Sequence, residues 1–102
     1  IKIKVPSKIL EDRINAYLDY NLLSFPLKIR KWKKGDFFIP LGMENKKKVS
    51  DFLIDNKIPQ SEKDEIWVLT NKGEIIWLMG YRISDSYKIS DKTKHCLHLR
   101  IQ

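Results

Sequence analysis

Ile66-Trp67-Val68-Leu69-Thr70-Asn71-Lys72-Gly73-Glu74-Ile75-Ile76-Trp77-Leu78-Met79 is the stretch whose reading decides the fold. Two apolar arms of strand length, Ile66 to Thr70 and Glu74 to Met79, flank Asn71-Lys72-Gly73, a turn sequence. The spacing predicts a β-hairpin. Both arms are almost continuously apolar, which a strand exposed on one face would not be, so the pair is expected at the centre of a sheet. Trp67 and Trp77 are accordingly read as core residues.

Upstream of the hairpin, Lys46 to Lys57 is the clearest helix. Val49, Phe52 and Leu53 fall at i, i+3 and i+4 on one face, and Asn45 is placed to cap the start. Pro59 stops the helix, and Ile58 is already biased toward extended geometry by the proline after it. Ser61 is expected to cap a second short turn from Glu62 to Glu65.

Short strands are expected on either side. Ile1-Lys2-Ile3-Lys4-Val5 alternates with period two and is stopped by Pro6. Ser7 to Tyr20 is open: Ile9, Leu10, Ile14, Tyr17 and Leu18 suit a helical stripe, while Asn15 to Tyr20 suits a strand equally well. Asn21 to Pro26 reads as a connection, and Leu27 to Trp32 alternates apolar with basic like a strand with one exposed face. Lys33-Lys34-Gly35-Asp36 is a turn in which glycine can take a positive φ. Phe37-Phe38-Ile39 is a short strand ended by Pro40, followed by a compact connection, Leu41-Gly42-Met43. Beyond Gly80, strands are expected at Tyr87 to Ile89 and at Cys96 to Ile101, the latter with Leu97, Leu99 and Ile101 inward. The sum is an α+β fold, a small mixed sheet or sandwich of about seven short strands with two or three helices. No repeat or linker divides the 102 residues, so residues 1–102 are expected to form a single domain.

Composition narrows the function. Hydrophobic residues make up 42% and aromatics 11%, enough for a core and too many for a disordered tail. No apolar run approaches the ~20 residues a bilayer span needs. One cysteine rules out an internal disulfide framework and fits the cytoplasm. No signal peptide is visible at Ile1 to Val5. The chain opens on Ile1 rather than Met and is expected to be a piece of something longer.

Charge is the positive clue. The chain carries 20 Lys and Arg against 13 Asp and Glu, net +7. Lys28, Arg30, Lys31, Lys33, Lys34, Lys46, Lys47 and Lys48 face just two acids, Asp36 and Glu44, within one segment, which therefore holds +6 of the total. Such localisation suits a polyanion, most often nucleic acid; the alternative is a solvated, solubilising surface. Lys46, Lys47 and Lys48 are expected in the first turn of the helix, where the dipole is already positive and cations are locally unfavourable. That conflict points to phosphate binding beside free backbone N–H groups.

Other chemistry is thin. The glycines stand alone, with no nucleotide-phosphate loop, and no serine sits in a nucleophile elbow. His95, Cys96 and His98 are candidate metal ligands, but a strand turns only Cys96 and His98 to one face, short of the four a structural zinc needs. Asp51 and Asp55 share a helix face, with salt-bridging to nearby lysines the simpler reading. Trp32, between Lys31 and Lys33, is the tryptophan expected to contact a ligand at the surface.

Several motifs in one order carry a family resemblance. Phe25-Pro26-Leu27-Lys28-Ile29-Arg30 matches an FPL-x-x-R step, and Gly35-Asp36-Phe37-Phe38-Ile39-Pro40-Leu41-Gly42-Met43 a GD-x-F-x-P-x-GM turn. Lys47-Lys48-Val49-Ser50-Asp51-Phe52-Leu53-Ile54-Asp55-Asn56-Lys57-Ile58-Pro59 matches KK-x-SDF-x-x-D-x-KIP. Gly73-Glu74-Ile75-Ile76-Trp77, Gly80-Tyr81-Arg82-Ile83 and Tyr87-Lys88-Ile89 follow later motifs. From about Ala16 onward the chain resembles the C-terminal domain of bacterial tRNA(Ile)-lysidine synthetase.

The resemblance implies a specific role. Enzymes of this family use ATP, with Mg, to adenylate the wobble cytidine of a tRNA(Ile) with a CAU anticodon, and lysine then displaces AMP. That chemistry belongs to an N-terminal catalytic domain with an SGG-x-DS loop, which this sequence lacks. The fragment is thus expected to be non-catalytic, to hold no cofactor itself, and to grip tRNA near the acceptor stem. Its partners would be tRNA(Ile), the enzyme's own N-terminal domain and, through the parent chain, a second copy, all in the cytoplasm. The RNA-facing positions carried over are Arg30, Lys34, Lys47, Lys48, Lys57 and Arg82. Lys63 stands where the family often has Arg, and Lys46 joins on the charge argument alone. The family often has Gly just after the GM dipeptide, where Glu44-Asn45 stands here. The alternative function is a basic protein–protein interaction module without RNA specificity.

Overall fold

The computed structural model of the chain describes residues 13–102 in full and residues 2–4 by their backbone. Among these residues the hairpin is where the sequence places it. Strands β6 (Trp67–Asn71) and β7 (Glu74–Leu78) pair antiparallel across Lys72-Gly73. Both turn residues have positive φ, 51° and 83°, the geometry that matches the twist of the flanking strands. β3 (Lys28–Lys31) and β8 (Arg82–Ile83) complete a four-stranded sheet in the order β3-β6-β7-β8, so the hairpin is central and β3 is an edge.

A bulge explains how the continuous apolar run of β7 serves two faces. Leu69 pairs with Trp77, but Thr70 pairs with Ile75, which leaves Ile76 extra. Adjacent residues Ile76 and Trp77 therefore reach the same side. They join Ala16, Leu18, Leu69 and Tyr87 in one core cluster, while Ile75 and Leu78 join Val68 in another.

The first of these clusters lies against a three-stranded antiparallel sheet in the order β1-β9-β2, formed by β1 (Lys2–Lys4), β2 (Asn15–Asp19) and β9 (His95–Arg100). The open reading of Asn15 to Tyr20 thus resolves as strand; residues 5–12, where the rest of that stretch and Pro6 fall, lie outside the described residues. Leu99 and Ile101 point inward as expected. A cavity of about 510 Å³ between the two sheets is lined by Phe25, Ile29, Met79, Leu99 and Ile101 among others.

The other cluster lies under helix α1 (Val49–Asp55) and a two-stranded ribbon of β4 (Phe37–Phe38) and β5 (Lys47–Lys48). Seven residues cannot hold a helix alone in water. Burial of Val49, Phe52 and Leu53 does so, at roughly 1.5–3 kcal/mol per side chain. The resulting α+β fold has the expected class, with nine strands among the described residues rather than about seven; the two-residue strands β5 and β8 are too short to show a sequence period.

Five local expectations need correction. The helix begins at Val49, not Lys46, because Lys47 and Lys48 pair with Phe38 and Phe37 and the Val49 N–H bonds to the Asp36 carbonyl at 2.9 Å. Lys48, not Asn45, occupies the capping position, with no side-chain cap bond. The second helix, α2 (Gln60–Lys63), starts directly after Pro59 rather than after Ser61. Tyr87 belongs to a single 3-10 turn (Asp85–Tyr87), capped by the Ser84 hydroxyl, instead of a strand. The tryptophans exchange roles: Trp67 is 44% exposed with the Lys31 ammonium 5.6 Å from its ring, whereas Trp32 packs against the helix-side core and donates its indole N–H to the Lys63 carbonyl at 2.6 Å.

Candidate nucleic-acid interface

The basic segment is organised by one turn. The Arg30 guanidinium makes two hydrogen bonds to the Asp36 carboxylate, 2.8 and 3.0 Å, and a third to the Lys31 carbonyl at 3.1 Å. The same carboxylate accepts the Lys33 N–H at 2.8 Å. Burial by itself would raise the Asp36 pKa. The Arg30 hydrogen bonds, the Lys33 amide and the two positive charges outweigh it, so the carboxyl is held below its ordinary value. The Arg30 pKa rises in return, chiefly through the same hydrogen bonds. Gly35, at φ 96°, closes the turn and leaves Lys33 and Lys34 exposed.

From this turn the chain enters the β4–β5 ribbon, where strand alternation sorts the side chains. Phe38 points inward, 4% exposed, and meets Phe52 edge-on with centroids 5.5 Å apart. Phe37 points outward, 51% exposed, opposite Lys48, with the Lys46 ammonium 4.7 Å from its ring centroid. Lys47 lies on the inner side and forms an ion pair with Asp55. Among the described residues no carboxylate lies within ion-pair distance of Lys34, Lys46 or Lys48.

The ribbon thus turns Lys46 and Lys48 to its outer face and Lys47 to its inner face, while Lys34 stays exposed in the turn that Arg30 clamps. The expected helix-dipole site is not formed: Lys46, Lys47 and Lys48 precede the helix, and their concentration comes from strand pairing. Arg82 lies against the same layer, its guanidinium 5.1 Å from the Phe52 ring centroid. Lys57 sits at the far end of α1, in the left-handed conformation at φ 56°. There the Lys57 N–H bonds to the Ile54 carbonyl and the Ile58 N–H to the Leu53 carbonyl, both at 3.0 Å, a Schellman closure. Lys63 ends α2, apart from the ribbon, its carbonyl held by Trp32.

Phe37 is the residue that sequence reading passed over. The signal was present, since a strand must turn one of two adjacent phenylalanines away from the core. Elsewhere the candidates for chemistry have structural surroundings. Burial pushes the Cys96 thiol pKa up, away from the nucleophilic thiolate. His98 stacks on Tyr17 with centroids 4.4 Å apart and hydrogen-bonds Asn15 at 2.7 Å. No group of three or more potential metal ligands occurs among the described residues, and no helix there is long and apolar enough to cross a membrane.

The family described as "TilS substrate C-terminal domain" matches residues 27–101. The chain is 45% identical over 82 residues to a tRNA(Ile)-lysidine synthase of Parabacteroides distasonis, covering 80% of this chain and 19% of that protein. It is 39% identical over 92 residues to the enzyme of that name from Dehalococcoides mccartyi, covering 90% of this chain and 20% of the relative. The chain therefore spans about a fifth of the length of these curated relatives. Among solved structures, a TilS C-terminal domain superposes with a TM-score of 0.78 at 20% identity, covering 99% of this chain and 81% of that one. An N-terminal fragment of the phenylalanyl-tRNA synthetase β-subunit from Pyrococcus horikoshii gives 0.69 at 14% identity, over 82% of this chain and 26% of the other. At these identities the two structures speak for the fold. The family match over most of the chain, with relatives of this identity beside it, makes the chain a member of the TilS C-terminal domain family.

Proposed function

We propose that this chain is the tRNA-gripping part of a tRNA(Ile)-lysidine synthase and leaves the ligation chemistry to an N-terminal catalytic domain. The parent enzyme would use ATP with Mg to join lysine to the wobble cytidine of tRNA(Ile), in the cytoplasm. This chain would hold the tRNA, at its acceptor stem, through charge and shape.

One observation carries the reading: the β4–β5 ribbon turns Lys46 and Lys48 to one exposed face and the turn before it exposes Lys34, with no carboxylate paired to any of the three among the described residues. Like charges held together repel, and a polyphosphate backbone relieves that repulsion. Side chains cannot enter the deep major groove of A-form RNA, so recognition here is of phosphates and 2′-hydroxyls. Lys57 and Arg82, at the far end and flank of α1, would extend the same footprint, and Lys63 its margin. Arg30 and Lys47 contribute indirectly, since Asp36 and Asp55 already engage them.

The test is a titration of the chain with tRNA at several salt concentrations. Saturable binding that weakens steeply with salt supports the reading. Equal affinity for an acidic polypeptide would favour the protein-interaction alternative. AMP release from ATP, lysine and tRNA that tracks the concentration of the purified chain would contradict the non-catalytic assignment.

A further inference from the structure

We infer that the outer face of the β4–β5 ribbon seats an unpaired nucleotide, its base stacked on the Phe37 ring and its flanking phosphates against Lys46 and Lys48. The inference rests on the RNA-binding reading and adds a requirement that this reading does not contain: a single-stranded end or bulge.

Phe37 is half exposed although Phe38 beside it is buried, and it stands opposite Lys48 with Lys46 on the same face of the ribbon. This combination, an open aromatic ring between unpaired cations, is the chemistry by which single-stranded nucleic acid is held. Lys46 already shows that the ring face accepts a partner, with its ammonium 4.7 Å from the centroid. An exposed ammonium–ring contact is weaker than a base stack. A base would therefore displace the ammonium, and the flexible lysine stem would carry the charge to the neighbouring phosphate.

The interior of a helical stem cannot use the ring in this way. Its bases stack on one another and only the terminal pair keeps a free face, whereas an unpaired base can turn its own face to the ring. The ribbon also presents its ring beside the turn that exposes Lys33 and Lys34, so a strand leaving a helical stem would find cations on both sides of the stacking position.

The experiment compares a blunt RNA hairpin with the same hairpin carrying an unpaired 3′ extension of about four nucleotides, a site size within the usual range for such platforms. The whole 102-residue chain is used, beside Phe37→Leu and Phe37→Tyr variants, each checked by thermal melt. Wild type is expected to prefer the extended hairpin by about 5- to 100-fold. Phe37→Leu should lose that preference and Phe37→Tyr keep it, while both bind the blunt hairpin like wild type. No preference in wild type, or an undiminished preference in a folded Phe37→Leu variant, would overturn the inference and leave the RNA reading intact. Failure of wild type to bind either hairpin would overturn both. Equal displacement of the extended RNA by a polyglutamate peptide would assign the face to an acidic protein and also overturn the inference.

Discussion

Arg30 and Asp36 form a two-bonded ion pair, at 2.8 and 3.0 Å, that joins the edge strand β3 to the turn from which the basic ribbon emerges. The pair is a structural clamp beneath the candidate interface, and its carboxylate side chain is only 8% exposed.

Asp36→Asn is therefore expected to destabilise the chain by about 1–2 kcal/mol near neutral pH, a charge-assisted hydrogen-bond loss trimmed by the partial exposure of Arg30. The pH dependence has a definite sign. The folded Asp36 pKa lies below its ordinary value of 3.8, so the carboxylate's contribution is complete above that value and fades as pH falls through it toward the folded pKa. The stability gap between wild type and Asp36→Asn should stay constant above about pH 5 and shrink below about pH 4. Denaturant titrations across pH measure it, and a gap that widens in acid would refute the assignment.

Lys57 pays a conformational cost at the end of α1, where its φ of 56° suits glycine better. Lys57→Gly should stabilise by about 0.5–1 kcal/mol, raising the melting temperature by a few degrees, while Lys57→Ala should not. If Lys57 also meets RNA, Lys57→Gly should weaken tRNA binding while the fold gains. A drop in melting temperature for the glycine variant would contradict the Schellman geometry.

The two hairpin tryptophans should separate cleanly. Trp77 is 2% exposed, so Trp77→Ala should cost about 3–5 kcal/mol, a large share of the ~5–15 kcal/mol of a typical domain. Trp67, 44% exposed on the first residue of β6, should cost about 1 kcal/mol or less when truncated. Comparable losses in chemical denaturation would mean that the burial of one ring is misassigned.

These residues also show which parts of the molecule were legible in its sequence. The central hairpin and the buried face of α1 could be read because strand alternation and helical periodicity are local. The start of α1 could not, since Lys47 and Lys48 are strand because Phe38 and Phe37, nine or more residues earlier, pair with them. The exposure of Trp67 was hidden in a continuous apolar run, which does not show that this first residue of β6 stands opposite Lys31 of the edge strand. Asn71, read as a turn residue, is 4% exposed, and its side chain accepts the Ser24 N–H and donates to the Tyr87 hydroxyl. Of the candidate interface, the charge run was legible. Which cations are engaged was not, because Asp36 and Asp55 reach Arg30 and Lys47 only through the fold.

The most direct measurement is the salt dependence of tRNA affinity for wild type and a Lys34→Ala/Lys46→Ala/Lys48→Ala variant. Lys47 is left in place because it pairs with Asp55. Each lost phosphate contact should reduce the slope of log K against log salt by ~0.7–0.9, so the triple change should flatten it by about 2–3. Weaker binding, that flatter slope and a melting temperature close to wild type are expected, since the three ammonium groups lack carboxylate partners among the described residues. An unchanged slope in a variant that folds normally would contradict the RNA-binding reading.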